Sequence, residues 1–416
     1  MPVRSRYADL SRADLAVVVP ELLLMGQLID RSGMAWCIQA FGREEMLQIA
    51  IEEWAASSPV YTRRMQAALG YAPATPGRGD VVTIFKGLQL DIGAPPQFMD
   101  FRYTVHDAHH GEFHLDHCGA LMDVEPMGED YVRGMCHDIE DPTFDATAIA
   151  SHPRAQVRPI HRPPRTPADR QPHCAWTVTI DDSHPEAEGI PALARNERSR
   201  AAGIALAPID PTEDGAADYA GPLVTDVDFA AFSHSALVRI ADEVCLQMHL
   251  LDRGFAMAVR GRAADEAQLL SLRRQQLVGA AGIGALRLAR ALGVTRDEAG
   301  ARRVLALHPL LNPAAYVDAD VPVPDGTLTV RPGPAHEDEA WISLVGPDAP
   351  DALQAIVQAV DPHLDVEVTP AGEAWTADVV RRAEPAEERP EVAVTKFSTG
   401  TDFAFEERTS LPITPV

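Results

Sequence analysis

The sequence predicts an α+β chain of two pseudo-repeats, each with leading helices followed by an antiparallel sheet that carries a packed helix. Three observations point there. Apolar residues recur at three- and four-residue spacing from residue 12 to 71 and again from about Phe232 to Leu292, the period of a helix with a buried face. Strand-like stretches follow each helical block. Short matches also recur in the same order at a spacing of about 220 residues, as a duplicated unit requires.

Taken in order, LAVVVPELLLMGQLIDR, EEMLQIAIEEWAA and TRRMQAALG read as the first helices, with Gly70 placed as a C-terminal stop. Residues 79–181 read mainly as strands, with one helix over Glu129 to Ile139 and a Pro- and Arg-rich connector, HPRAQVRPIHRPPRTP, before the strand CAWTVTI. Residues 183–228 are rich in Pro, Ala and Asp with weak periodicity, and read as a linker. That divides the chain into an N-terminal α+β domain at 1–182, the linker, and a C-terminal pseudo-repeat at 229–416. The second half ends in mixed elements to about Val380, a loop AEPAEERPE, and a strand-like VAVTKFSTGTDFAF.

Five matches support the repeat. Leu28-Ile29-Asp30-Arg31 corresponds to Leu250-Leu251-Asp252-Arg253, and Ala68-Leu69-Gly70 to Ala291-Leu292-Gly293. Thr104-Val105 parallels Thr329-Val330, FHLDHCG falls opposite AWISLVG, and Asp141 to Asp145 falls opposite Asp361 to Asp365. The second copy therefore offers Ile342, Leu344 and Gly346 where the first has His114, Asp116 and Cys118. In place of Cys136-His137 it has approximately Ile356-Val357. The polar site belongs to the first half alone.

Composition narrows the classes. A net charge of −25 argues against nucleic-acid binding, which wants a basic footprint. Five cysteines without regular spacing suit a reducing compartment better than a disulfide framework. The apolar run Leu15 to Ile29 contains Pro20 and Glu21 and is too short to span a bilayer. A cytoplasmic protein without membrane contact is expected, with homo-oligomerisation left open. The sequence has no phosphate-cradling loop, H-E-x-x-H, G-x-S-x-G or C-x-x-C, which disfavours nucleotide-driven and serine-hydrolase chemistry.

The stretch Phe101 to Asp181 holds most of the histidines and three of the five cysteines. Its heart, FRYTVHDAHHGEFHLDHCG, reads as a hairpin. Strict alternation puts Phe101, Tyr103, Val105, Phe113 and Leu115 on one face. It puts Arg102, Thr104, His106, His114, Asp116 and Cys118 on the other. Imidazole, carboxylate and thiolate suit zinc or ferrous iron, or a thiolate–imidazole pair for nucleophilic catalysis. The alternative is Cys118 packed as a small hydrophobe, with His114 and Asp116 facing water. His106 is a further metal candidate, His109 and His110 are expected at a solvated turn, and His117 in the core. Cys136 and His137 on the following helix could join the site if Cys136 meets Cys118. In the connector, Arg158 and Arg162, with Arg154 and Arg165, form either a clamp for an anionic substrate or surface ion pairs.

The order Cys136-x-Asp138, an Arg-bearing loop, then His173-Cys174-x-Trp176 entering a strand resembles the L-2-amino-thiazoline-4-carboxylate hydrolase-like family over at most residues 20–181. The dense hairpin, the long connector and the second half depart from that pattern. The resemblance implies hydrolysis of a C–N bond in a small anionic, cyclic or amidine-like molecule. The residues themselves leave open a metal-activated water, a Cys/His pair, a metal- or ligand-binding protein without turnover, and a non-haem iron oxygenase.

Overall fold

Each half opens with a long helix capped by a serine at the same repeat position. Ser11 accepts from Asp14 N, and Ser233 from Ala236 N, which satisfies donors a helix start leaves unpaired. The computed structural model describes residues 3–398. The first half contains α1 (Arg12–Phe41), α2 (Arg43–Ala68), α3 (Val81–Gln89), β1 (Met99–Val105), β2 (His110–Cys118), α4 (Gly119–Val124), α5 (Glu129–Arg133), a π-helical turn (Gly134–Ile139), α6 (Glu140–Ala148), β3 (Ala155–His161) and β4 (Cys174–Ile180). Two short helices follow, α7 (Pro191–Glu197) and α8 (Arg200–Gly203). The second half contains α9 (His234–Arg260), α10 (Glu266–Ala291), α11 (Glu298–Leu307), β5 (Ala319–Asp320), β6 (Leu328–Val330), α12 (Pro334–Glu337), α13 (Asp351–Val360), β7 (Leu364–Ala371), β8 (Ala374–Arg381) and α14 (Pro390–Ser398).

The α+β class and the two repeat-like halves hold. One antiparallel sheet runs β1-β2-β4-β3 and the other β5-β6-β8-β7, the same order in each half. The four long helices pack together, α2 along α9 and α1 along α10 and α9. Gly254 permits the α2–α9 crossing: a Cβ there would lie 2.5 Å from the Glu53 carbonyl oxygen and the Ser57 Oγ. One apolar cluster includes Leu15 and Ile29 of α1, Leu250 of α9 and Val379 of β8, so the halves share a core. The 183–228 segment lacks long elements, yet Leu193, Ala201, Leu206 and Tyr219 from it are buried in that core.

Several expectations are corrected. Val81–Gln89 is a helix where strands were predicted, its start fixed by Asp80 accepting from Thr83 N at 2.8 Å. The cap and an amphipathic face outweigh the strand propensity of its β-branched residues. Residues 392–398 of the strand-like C-terminal run belong to α14, and the rest of that run lies outside the described residues. Of the five repeat matches, the two helical ones keep their place. Thr104-Val105 lies in β1 but Thr329-Val330 in β6, the counterpart of β2. Trp341–Leu344 forms a 3-10 turn instead of a strand. Asp141 lies in the first turn of α6 while Asp361 follows α13. β5 and β6 are much shorter than β1 and β2, so alignment by spacing slips there.

Candidate functional site

The hairpin forms, but strict alternation fails near its end. Phe101 pairs with Leu115 and Asp100 with His117, so Asp116 has no partner residue in β1. A bulge of this kind shifts which face later residues take. Phe113 and Leu115 are buried as expected, and Cys118 joins them at 2 % exposure. His114 and Asp116 remain on the opposite, wet face, with side chains 40 % and 52 % exposed and 3.5 Å apart. The expected His114–Asp116–Cys118 triplet is therefore split across the sheet. Cys118 instead caps α4, its Sγ accepting from Leu121 N.

Cys136 does lie with Cys118 and Cys174 in one apolar cluster. Burial pushes the Cys118 thiol up to about 12 and raises Cys136 and Cys174 as well, which starves them of the nucleophilic thiolate. All five cysteines are free and buried. Ellman's reagent is expected to label none of them in the native protein and all five in denaturant, and a native thiol reacting within seconds would contradict that placement. His137 turns away from these thiols, its Nε2 2.7 Å from the Pro163 carbonyl. The arginines are ion-paired. Arg158 holds Asp145 at 2.8 Å, Arg165 holds Glu125 at 2.8 Å, and Arg162 meets Asp141. Arg102 contacts Asp100, Asp226 and Asp116. They form ion pairs with the protein's own carboxylates, the alternative raised for the connector.

One group on the wet face could hold a metal ion. His106 and His110 face each other across the turn, with Glu112 two residues further along β2. Their ligand atoms all lie within 4.8 Å of one another, and His106 Nε2 is 3.3 Å from Glu112 Oε1. Among the described residues this is the one such group, and of the predicted ligands it contains only His106.

The larger concavity lies beneath the sheet. A cavity of about 660 Å³ opens between α1, α2, α4, β1 and the α5–α6 segment, with Val394 of α14 on its wall. Six methionines line it: Met34, Met46, Met99, Met122, Met127 and Met135. Unbranched thioether side chains adapt to varied apolar shapes. Met122 and Met127 are exposed, which places them at the mouth. The volume suits a small organic molecule.

A few polar groups break this apolar lining. Arg31 of α1 is buried, donating to Asp30 Oδ2 through Nε at 3.0 Å and Nη2 at 2.7 Å, with Asp123 of α4 at 3.6 Å. Trp54 Nε1 reaches Asp30 from α2 at 3.4 Å. Glu140 stands where the π-helical turn passes into α6, and such turns concentrate at functional sites. Burial pushes the Glu140 carboxyl up to about 8 and Asp123 up to about 7, the latter held back by Arg31. Asp91, also on the wall, is pushed up to about 6 by burial. None of these cavity groups was singled out as a site residue from the sequence. The available signal was the charged Asp30-Arg31 pair inside an otherwise apolar helix, repeated as Asp252-Arg253.

A carboxyl whose pKa rises on folding binds its proton more tightly in the native state. Its contribution is most favourable below the unfolded value and is lost as pH climbs to the folded one. Asp91, Asp123 and Glu140 therefore each contribute less stability as pH rises from about 5 to about 8, while the buried His249 and His308, lowered to about 4 and about 3, act the other way up to about pH 6.5. Glu140→Gln removes one of these carboxyl groups, and should lie within about 1 kcal/mol of the parent near pH 5 but exceed it by about 4 kcal/mol near pH 8. Urea unfolding at the two pH values measures this, and equal differences at both would contradict it.

The second half has the corresponding charges without the opening. Asp252 pairs with Arg273 at 2.9 Å, and Arg253 lies 3.5 Å from Asp338. Tyr316 donates to Asp338 at 2.8 Å, and His249 packs edge-on against both Tyr316 and Trp341. Among the described residues, no helix is long and apolar enough to cross a membrane. Comparisons with protein-family models, with curated proteins and with solved structures give no match.

Proposed function

We propose that the Arg31 cavity binds a small, largely apolar molecule, and that the chemistry performed there is hydrolysis of a C–N bond. The observation that carries this reading is that two buried carboxyl groups, Asp123 and Glu140, line one largely apolar cavity, both raised by burial, to about 7 and about 8. Acid and base roles are set by environments that hold two titratable groups apart. Arg31 makes Asp123 the readier of the two to ionise, and Glu140 the readier to keep its proton. Asp123 then takes a proton from the attacking water as the new C–O bond forms. Glu140 gives its proton to the departing nitrogen as the C–N bond breaks. The resemblance of Cys136-x-Asp138 and His173-Cys174-x-Trp176, within at most residues 20–181, to the aminothiazoline-carboxylate hydrolase-like family implies the same bond type. A Cys/His mechanism has less support, because the thiols are buried with raised pKa values and His114 lies across the sheet from Cys118.

The test offers the purified protein a panel of small aryl and alkyl amides, amidines and cyclic imides, and measures release of amine or ammonia. Release that is lost in Asp123→Asn, in Glu140→Gln and in the cavity-filling Ala35→Trp supports hydrolysis. Binding by calorimetry without release leaves a ligand-binding protein. The absence of both release and binding overturns the proposal.

A second reading rests on His106, His110 and Glu112. Two imidazoles and a carboxylate with open positions suit zinc, or ferrous iron in an oxygenase. Stoichiometric metal in the purified protein that disappears in His110→Ala would support it. Metal-free protein that also fails to take up zinc would remove it.

A further inference from the structure

The orphaned polar atoms of the cavity share one character. Gln27 Oε1, Asp123 Oδ2 and Glu140 Oε2 are buried without a hydrogen-bond partner, and all three residues line the cavity. Gln27 is 4 % exposed and Glu140 7 %, and the Asp123 side chain 5 %. Gln27 Oε1 and Asp123 Oδ2 are acceptors, and the Glu140 carboxyl becomes acceptor-only when a cation draws off its proton. A buried acceptor left unmet costs about 1–3 kcal/mol, so the site is short of donors. The cation on this wall supplies them only in part: Arg31 donates twice to Asp30, and its Nη1 stands 3.6 Å from Asp123 Oδ2, an ion pair beyond hydrogen-bond distance. Arg31 is likewise poorly placed to receive an anion. Four carboxyl groups, on Asp30, Asp91, Asp123 and Glu140, line the cavity with that one guanidinium. Trp54, Phe101, Tyr131 and Phe144 add aromatic surface, which both packs an apolar body and attracts a cation.

Resting on the reading that this cavity holds a small molecule, we propose that it selects a ligand with a positively charged, N–H-rich head, an ammonium or guanidinium, on an aromatic or aliphatic body. The head donates to Gln27, Asp123 and Glu140 while the body lies among the methionines and rings. This reverses the charge expected from the sequence, where the arginine connector suggested an anionic substrate.

The probes are benzylamine, benzyl alcohol and benzoate, which share one ring and carry a cationic, neutral or anionic head. Binding is measured by calorimetry on the full chain. Benzylamine is expected to bind at least about tenfold tighter than benzyl alcohol, a difference of about 1.4 kcal/mol, and benzoate weakest. The double variant Asp123→Asn/Glu140→Gln should lose that preference while retaining the alcohol. Ala35→Trp should abolish binding of all three, with its urea midpoint confirming that it folds. Benzyl alcohol or benzoate binding as tightly as benzylamine, still blocked by Ala35→Trp, overturns the charge selection and leaves the cavity reading standing. A preference that survives the double variant also overturns it. No binding by any of the three, or binding indifferent to Ala35→Trp, overturns both.

Discussion

Arg273→Met is expected to destabilise the protein by about 3–5 kcal/mol, the cost of removing one partner from a buried ion pair. Arg273 Nη2 donates to Asp252 at 2.9 Å and to the Glu339 carbonyl at 2.8 Å. The two side chains are 3 % and 0 % exposed. Methionine fills similar space, so the loss measures charge more than packing. Asp252 is then left ionised in a sealed interior or must take up a proton, and either course favours the unfolded chain. Urea unfolding followed by far-ultraviolet circular dichroism measures the loss. The double variant Asp252→Asn/Arg273→Met should recover a large part of it, because the stranded charge goes with its partner. A loss below about 1 kcal/mol would mean that water reaches Asp252 and that the second half is not sealed.

The helical half of this architecture was legible because a buried face imposes a period that survives in a single sequence. Ser11 and Ser233, and the repeated Asp-Arg pairs, mark equivalent starts and equivalent depths. Strand register was less legible. The bulge at Asp116 adds one unpaired residue, and nothing in HLDHC announces it, yet it moves Cys118 from the expected face to the core. The site was misplaced for the same reason. Histidines and cysteines drew attention to the wet face and to the core, where the imidazoles are partly solvated and the thiols inert. The groups that converge on the cavity come from Asp30 and Arg31 on α1, Asp123 after β2 and Glu140 after the π-helical turn. Only the tertiary fold brings those segments together. Asp30-Arg31 was visible as a repeat marker, although a charged pair buried in an apolar helix is costly enough to suggest a further role.

The two halves show what a duplicated frame can do with one motif. Both set an Asp-Arg pair at the same repeat position, Asp30-Arg31 and Asp252-Arg253, and the second half adds Arg273 from α10 against Asp252. In the second half Tyr316, Trp341 and His249 pack around those charges, consistent with a mainly structural role. In the first half the equivalent charges border a methionine-lined space and remain available to a ligand.

Arg31→Met should therefore behave differently from Arg273→Met. Its cost is expected near about 3 kcal/mol at pH 8, the lower end for a broken buried pair, because the cavity lets water approach Asp30 and Asp123. The loss should also depend on pH. Without the guanidinium, the Asp123 carboxyl rises further above its unfolded value, so the native state holds its proton more strongly. The variant keeps that proton past pH 7, where the parent has begun to ionise and gain the Arg31 pair, so the deficit should be smaller toward pH 5 and grow toward pH 8. Urea midpoints across this range decide the point, and a deficit independent of pH would show that Arg31 acts through packing alone. Benzylamine gives an independent readout. With the resident cation gone, an ammonium head can neutralise the same carboxylates, so the variant should bind benzylamine more tightly than the parent and regain part of its lost stability at saturating ligand. Weaker benzylamine binding in the variant would mean that Arg31 shapes the pocket for its ligand and does not compete with it.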